Sequence, residues 1–263
     1  MTNSEKQGFI ARIIDKLKQH PLSLVSLVLI IFGFTWFSFF LYQNIVDKTK
    51  QDLAHAQATN YAQQQLITTN TYLQQRQQQL QTLSEKKLFV SSALTSGDSK
   101  KIEHMESLMA DWVDGLTHGY LLSPTDTRLD KTHNFAGQQI VLKVLAGEQP
   151  APVAAYINNS WQLIFAYPIN NDEGNTLGVM LIMLGTEALS GLLKNLDPLL
   201  GTTELFQQLP EIQGKAVIAL KNNNQTIEAV HMKTRVPHWE IRFTGSTVLL
   251  NRAQPSYREF AII

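Results

Sequence analysis

From Leu22 to Leu41 almost every position is apolar or a small Ser, Thr or Gly, and no charged residue stands between Pro21 and Val46. About 20 residues at about 1.5 Å rise match a hydrocarbon core of roughly 30 Å, so the run predicts a transmembrane helix over residues 21–46. A helix of a soluble core would show polar residues every few positions, and this one does not. Phe32, Phe34, Trp36, Phe37, Phe39, Phe40 and Tyr42 crowd its second half, and the Trp and Tyr suit a membrane–water interface. The run ends Phe-Phe-Leu-Tyr-Gln, with no small-residue cleavage site, so it predicts an uncleaved anchor.

The pattern then changes. Residues 47–92 hold no proline and no glycine and are rich in Gln, Ala, Lys, Glu and Leu, all good helix formers. Leu66, Leu73 and Leu80 recur every seven residues, while Thr69 and Arg76 interrupt the companion row, so the heptad pattern is partial. The run of glutamines within 74–81 reads equally as low-complexity coil. The expectation is a helical stalk over 47–96, continuous with the span. Its weak apolar stripe should pair with a second copy through residues 47–92 or dock on the following domain, and a homodimer is the simpler outcome.

Gly97-Asp98 breaks that helix. Ile102, Met105, Leu108, Met109, Trp112, Val113 and Leu116 then fall at i, i+3, i+4 spacing and predict an amphipathic helix over 99–117. Residues 138–145 fit a helix or a strand and are read as a helix. Between Pro152 and Leu184 the period becomes two. Runs at 152–157 and 161–169 flank the turn Asn158-Asn159-Ser160, and 176–184 follows a polar loop as a buried central strand. A short helix from Glu187 to Asn195 and four strand-like runs at 203–209, 215–221, 226–232 and 239–244 complete the pattern. The fold class is therefore α+β, with a mostly antiparallel sheet of five or six strands, in a domain over 97–250.

Before the span, residues 5–19 carry Phe9, Ile10, Ile13, Ile14 and Leu17 between charges, which fits a cytoplasmic amphipathic segment (1–20) or a disordered basic tail. Lys6, Arg12, Lys16 and Lys18 precede the span and Lys48 and Lys50 follow it, which places the N-terminus in the cytoplasm and 47–263 mainly in the periplasm of a bacterial inner membrane. The tail 251–263 is polar, then ends Phe-Ala-Ile-Ile, as the first residues of a second span or a frayed terminus would.

Composition narrows the chemistry. Net charge is zero, which argues against a nucleic-acid partner. With no cysteine, thiol catalysis, disulfides and Cys-based zinc sites are excluded. No G-x-S-x-G, P-loop or G-x-G-x-x-G occurs, and the seven histidines form no metal spacing, so no catalytic residue, metal or cofactor is assigned. His231 and His238, flanking a Pro turn, read as surface residues, and Glu103, Glu106, Asp111 and Asp114 as a solvated helix face. Arg128 with Tyr156, Trp161 and Tyr167 would suit a cleft for a small anionic ligand, one charge among aromatics. Plain sheet core and a surface loop are the alternative reading of the same residues.

The order of span, long helix, amphipathic helix, meander and further strands resembles an extracytoplasmic PAS- or Cache-like sensor. The stretches EQPAPVAAYINNSWQLIFAYPINNDEGNTLGVM (148–180), TLGVMLIML (176–184), TTELFQQL (202–209) and KTRVPHWEIRFTGS (233–246) resemble the membrane region that precedes the catalytic part of long-form bacterial phosphomannomutase/phosphoglucomutase. In that family a second span and a catalytic part follow; its phosphoserine loop, aspartate-rich metal loop and sugar-binding loop do not occur here, so the resemblance implies that this chain is the anchor and sensory region alone, truncated or split from the rest. Three functions stay open: a membrane-anchored sensory or regulatory domain that is not itself an enzyme, the non-catalytic front end of such a mutase, and an inner-membrane scaffold of a pilus or secretion assembly.

Overall fold

A computed structural model describes residues 21–86, 90–126, 128, 135–194, 199–209, 212–220 and 227–252. The chain divides into two units, residues 54–253 and the terminal segments 1–53 with 254–263. The expectations for 1–20 and for the tail beyond Arg252 lie outside the described residues.

In the terminal unit, residues 21–53 belong to helix α1 (Pro21–Ser84). Phe32, Phe34 and Trp36 stand 65–74% exposed, as do most apolar side chains from Val25 to Ile45 to a similar degree. Among the described residues no apolar surface covers them, and the helix is long and apolar enough to cross a membrane. The Thr35 hydroxyl donates to the Ile31 carbonyl (2.7 Å) and Thr49 to Ile45 (2.8 Å), which pairs both hydroxyls inside the helix.

The larger unit takes up α1 from Ala54 onward and adds α2 (Val90–Ser96), α3 (Ser99–Trp112), β1 (Leu116–Leu122), α4 (Phe135–Leu145), β2 (Val153–Ile157), β3 (Ser160–Asn170), β4 (Thr176–Gly185), α5 (Glu187–Lys194), β5 (Gly201–Leu209), β6 (Ile212–Leu220), β7 (Val230–Lys233), β8 (Trp239–Gly245) and α6 (Thr247–Arg252). The class is α+β, and every strand pairing is antiparallel. The five- or six-stranded sheet is corrected to two four-stranded sheets, ordered β1-β4-β3-β2 and β6-β5-β8-β7. Alternation along a strand reports which face is buried, not which strand lies beside it, so the division was not readable from the pattern.

The meander β2-β3-β4 forms as expected, with β3 and β4 central. Its first turn places Asn158 (φ 49°) and Asn159 (φ 63°) in the left-handed region, the requirement of a two-residue type I′ hairpin. The helix expected over 99–117 stops at Trp112, and Leu116 begins β1. Gly115 (φ 78°) turns the chain, and Leu116 to Leu122 pair with β4 instead of continuing the helix. The N-cap is legible: the Asp98 side chain accepts from the Lys100 N–H at 3.0 Å.

Odd positions of β3 (Leu163, Phe165, Ile169) join the main core with α1, α2 and α3, while Ile164 and Ala166 face α4. The main core also takes Leu205, Val217, Trp239 and Ile241 from the second sheet, so one apolar cluster spans both sheets. The inward stripe of α1 runs Ala54, Ala58, Ala62, Gln65, Thr69, Tyr72, Leu73, Leu80 and Leu83, all buried. Leu73 and Leu80, two of the three heptad leucines, are 0% exposed within the chain itself, and Leu66 packs beside them. Docking on the domain is therefore the arrangement seen, and the heptad row is consumed by it.

Candidate functional site

The four residues read as a cleft do not converge. Tyr156 and Trp161 face each other across the β2–β3 pair, their rings edge-on with centroids 5.5 Å apart. Tyr167 lies six residues along β3, roughly 20 Å away at strand rise, packed on the main core, and burial pushes its phenol pKa well up. Arg128 sits beyond the opposite edge strand, β1.

Arg128 is also fully engaged. Its Nε and Nη2 donate to the Asp126 carboxylate (2.8–3.1 Å), Nη1 to both oxygens of Glu106 (3.1 and 3.2 Å), and Nη2 to the Leu121 carbonyl (2.8 Å). Glu106 additionally accepts the Leu121 N–H at 2.8 Å. The guanidinium clips the loop after β1 to helix α3 and has no donor left for an anion. Glu106, expected on a solvated face, is 14% exposed at its side chain and belongs to this clip. An exposed helix face and a half-covered one look alike when the covering residue lies 22 positions ahead.

Burial raises the Glu106 pKa despite the Leu121 N–H and Arg128. Burial works the same way on Asp126, but hydrogen bonds from the Arg128 side chain and backbone outweigh it and hold that carboxyl low. The signs oppose. Asp126 contributes stability above the ordinary carboxylate range, lost as pH falls through its depressed value. Glu106 contributes at low pH, and its share is lost as pH rises from the ordinary value through the raised one. Replacement of Arg128 strands two carboxylates, so Arg128→Met is expected to cost about 1–2 kcal/mol at pH 7 and less at pH 3.5, where the variant's carboxylates, freed of the guanidinium, take up protons more readily. Urea unfolding at the two pH values reads the difference.

The space between α4 and the first sheet is mainly apolar: Ile140, Val141 and Val144 share one buried cluster with Ile164, Leu181 and Met183. On the same face of the sheet the buried Gln162 accepts a hydrogen bond from the Thr117 hydroxyl at 3.1 Å.

Polar groups gather instead where α1 meets both sheets. Trp239, 2% exposed, donates its Nε1–H to the Pro152 carbonyl at 2.9 Å, tying β8 to the segment before β2. Gln207 of β5 accepts the Ala154 N–H at 2.9 Å, a second tie between sheets. Gln65 of α1 donates to the Thr203 hydroxyl, and Asn70 accepts the Arg235 N–H at 2.9 Å. Among the described residues Gln65 Oε1, Thr69 Oγ1 and Gln207 Nε2 are buried here without a partner, each a cost of about 1–3 kcal/mol. These residues carry no motif; only their polarity inside an otherwise apolar helical stripe marked them in the sequence.

Beside this junction lies a groove of about 370 Å³, lined by Gln208, Lys233, Thr234, Val236, Pro237, His238, Trp239 and Glu240. Its lip is the turn Val236-Pro237-His238-Trp239, closed by the Trp239 N–H on the Val236 carbonyl (3.4 Å). His238 takes φ 70° there, in the position after Pro where a type II turn ordinarily requires Gly or Asn. Glu240 is shared by His231 Nδ1 (2.8 Å) and Arg242 Nε (2.5 Å), and the Arg242 guanidinium stacks 3.5 Å above the Phe206 ring. Partial burial opposes ionisation of Glu240, but these two partners outweigh it and hold its pKa low. No group of three or more His, Cys, Asp or Glu able to hold a metal occurs among the described residues.

No protein-family model matches the chain. No curated protein matches it either. Solved structures with a similar course include the sensory domain of the Campylobacter jejuni chemoreceptor Tlp3 with isoleucine bound (16% identity, 77% of this chain and 98% of that one, TM-score 0.46). The periplasmic domain of Vibrio cholerae LuxQ (9%, 70% and 99%, 0.44) and the ligand-binding domain of the Pseudomonas fluorescens chemoreceptor CtaA with L-isoleucine (13%, 81% and 99%, 0.47) run similarly. At these identities and TM-scores the likeness says nothing of what this chain binds. The resemblance to the front region of the phosphohexomutases finds no support among these comparisons.

Proposed function

We propose that the chain is a membrane-anchored extracytoplasmic sensory domain of the Cache-like kind, not an enzyme, in which α1 links the bilayer to the sensor. The observation that carries this is the makeup of one helix: its first part is apolar and uncovered, and its second is buried against both sheets. A change at the junction of the sheets would alter the packing of Gln65, Thr69 and Leu73, and so bias the helix that holds the membrane segment. Support also comes from α6, whose Leu249 shares one apolar cluster with Ala58 and Ala62 in the N-terminal part of α1 in this unit. The bacterial inner membrane is the proposed location, with the N-terminus in the cytoplasm.

A homodimer through 47–92 remains part of the reading in altered form. Because the heptad leucines face inward, pairing would use the outward face that carries the 58% exposed Ile67. The element order, helices first and then a meander, does not favour the scaffold reading.

The native chain has no cysteine, which makes the topology directly testable. Single cysteines at Asn171, in the exposed β3–β4 loop, and at Ser4 are labelled in intact cells with a membrane-impermeant maleimide. Labelling of Asn171→Cys in intact cells, and of Ser4→Cys only after lysis, is expected. The reverse pattern would sink the sensory reading.

A further inference from the structure

We propose that the groove at the Val236-Pro237-His238-Trp239 turn is a binding site for a small carboxylate with a short apolar body. Three observations converge on it. The first is chemical. Lys233 and His238 line the groove, both exposed, and among the described residues neither side chain makes a hydrogen bond or ion pair. Gln208, also exposed, lines the groove beside them. The acid on the lining, Glu240, is already balanced by Arg242 and His231. The groove therefore presents uncommitted donors and no uncommitted carboxylate, which selects an anion.

The second is shape. Val236 and Pro237, with an edge of Trp239, supply an apolar floor, and about 370 Å³ falls within the range of small-molecule sites. A bare inorganic anion would leave that floor wet; a short acyl chain would cover it. Planar carboxylate oxygens suit the pairing of one ammonium with one imidazole.

The third is backbone conformation. A glycine at residue 238 would satisfy φ 70° without strain, yet the chain places an imidazole there. That strain sets the exposed His238 side chain at the groove's lip.

The turn is also connected. The Gln208 N–H bonds the His238 carbonyl at 2.8 Å, Arg235 N–H bonds Asn70 of α1, and Trp239 bonds the Pro152 carbonyl. A ligand bridging Lys233 and His238 would stiffen a hairpin that contacts α1 and both sheets. This names a ligand class within the sensory reading and rests on it only for its purpose; labelling and titration fail independently.

The full-length chain in lipid nanodiscs is titrated by calorimetry with sodium butyrate and, separately, with inorganic phosphate. Saturable butyrate binding is expected, with a raised melting midpoint and little response to phosphate. His238→Gly and Lys233→Met should each weaken butyrate binding by about tenfold or more, the equivalent of one charge-assisted hydrogen bond. Lys215→Met, an exposed charge of β6 outside the groove, should change nothing. His238→Gly should melt no lower than the parent, since glycine adopts this turn freely, so its loss of binding would not reflect unfolding. Absence of butyrate binding, binding unaltered by both substitutions, or phosphate binding alone would overturn the proposal.

Discussion

Trp239→Ala is expected to lower the unfolding free energy of the 54–253 unit by about 3–5 kcal/mol, the largest effect of any single truncation considered. The side chain is 2% exposed, fills the core shared by the two sheets and donates to the Pro152 carbonyl. Truncation leaves a cavity and an unpaired carbonyl at the same place. Trp239→Phe keeps most of the apolar volume and loses mainly the hydrogen bond, so its cost should be well under half as large. Urea unfolding followed by far-ultraviolet circular dichroism measures both. A loss below about 1 kcal/mol for the alanine variant would mean the two sheets do not share a core there.

Leu73→Ala and Leu80→Ala should each cost about 2–5 kcal/mol, while Ile67→Ala should stay within about 0.5 kcal/mol. Both leucines are 0% exposed against the chain's own sheets and helices, and Ile67 points outward at 58%. Because these contacts are made within one chain, the losses should not change when protein concentration rises about a hundredfold. Losses that shrink with concentration would place the leucines in an interface between copies, as the heptad pattern first invited.

That contrast shows what the sequence could carry. The apolar run 21–46, the meander with its Asn-Asn turn and the helix break at Gly97-Asp98 were legible because each rests on local rules: hydropathy, period and turn chemistry. The destination of the Leu66–Leu73–Leu80 row was not legible, since an apolar stripe specifies burial without naming the partner. β1 was missed because Trp112, Val113 and Leu116 continue a helical spacing across Gly115, and only the pairing of Leu116–Leu122 with β4 shows the change of period.

The candidate site was less legible than the fold. Arg128 looked like a free cation in a polar loop because Glu106 lies on a different element, and nothing local joins the two. Tyr156, Trp161 and Tyr167 share one strand pair, yet only the first two meet, since strand rise carries Tyr167 to the far end. His238 could be seen beside a proline. The positive φ could not, because a type I turn accepts proline at the same position and demands nothing of the next residue. Gln65, Thr69 and Gln207 lie far apart in sequence and become one polar seam only when α1 docks.

Hydrogen exchange on the full-length chain in nanodiscs tests most directly whether α1 is built into the sensor. Amides of residues 58–80 should be protected to within about tenfold of the central strands β3 and β4, because the same cooperative core buries them. Exchange of 58–80 orders of magnitude faster than those strands would show a helix that merely leads to the domain, and would contradict the account.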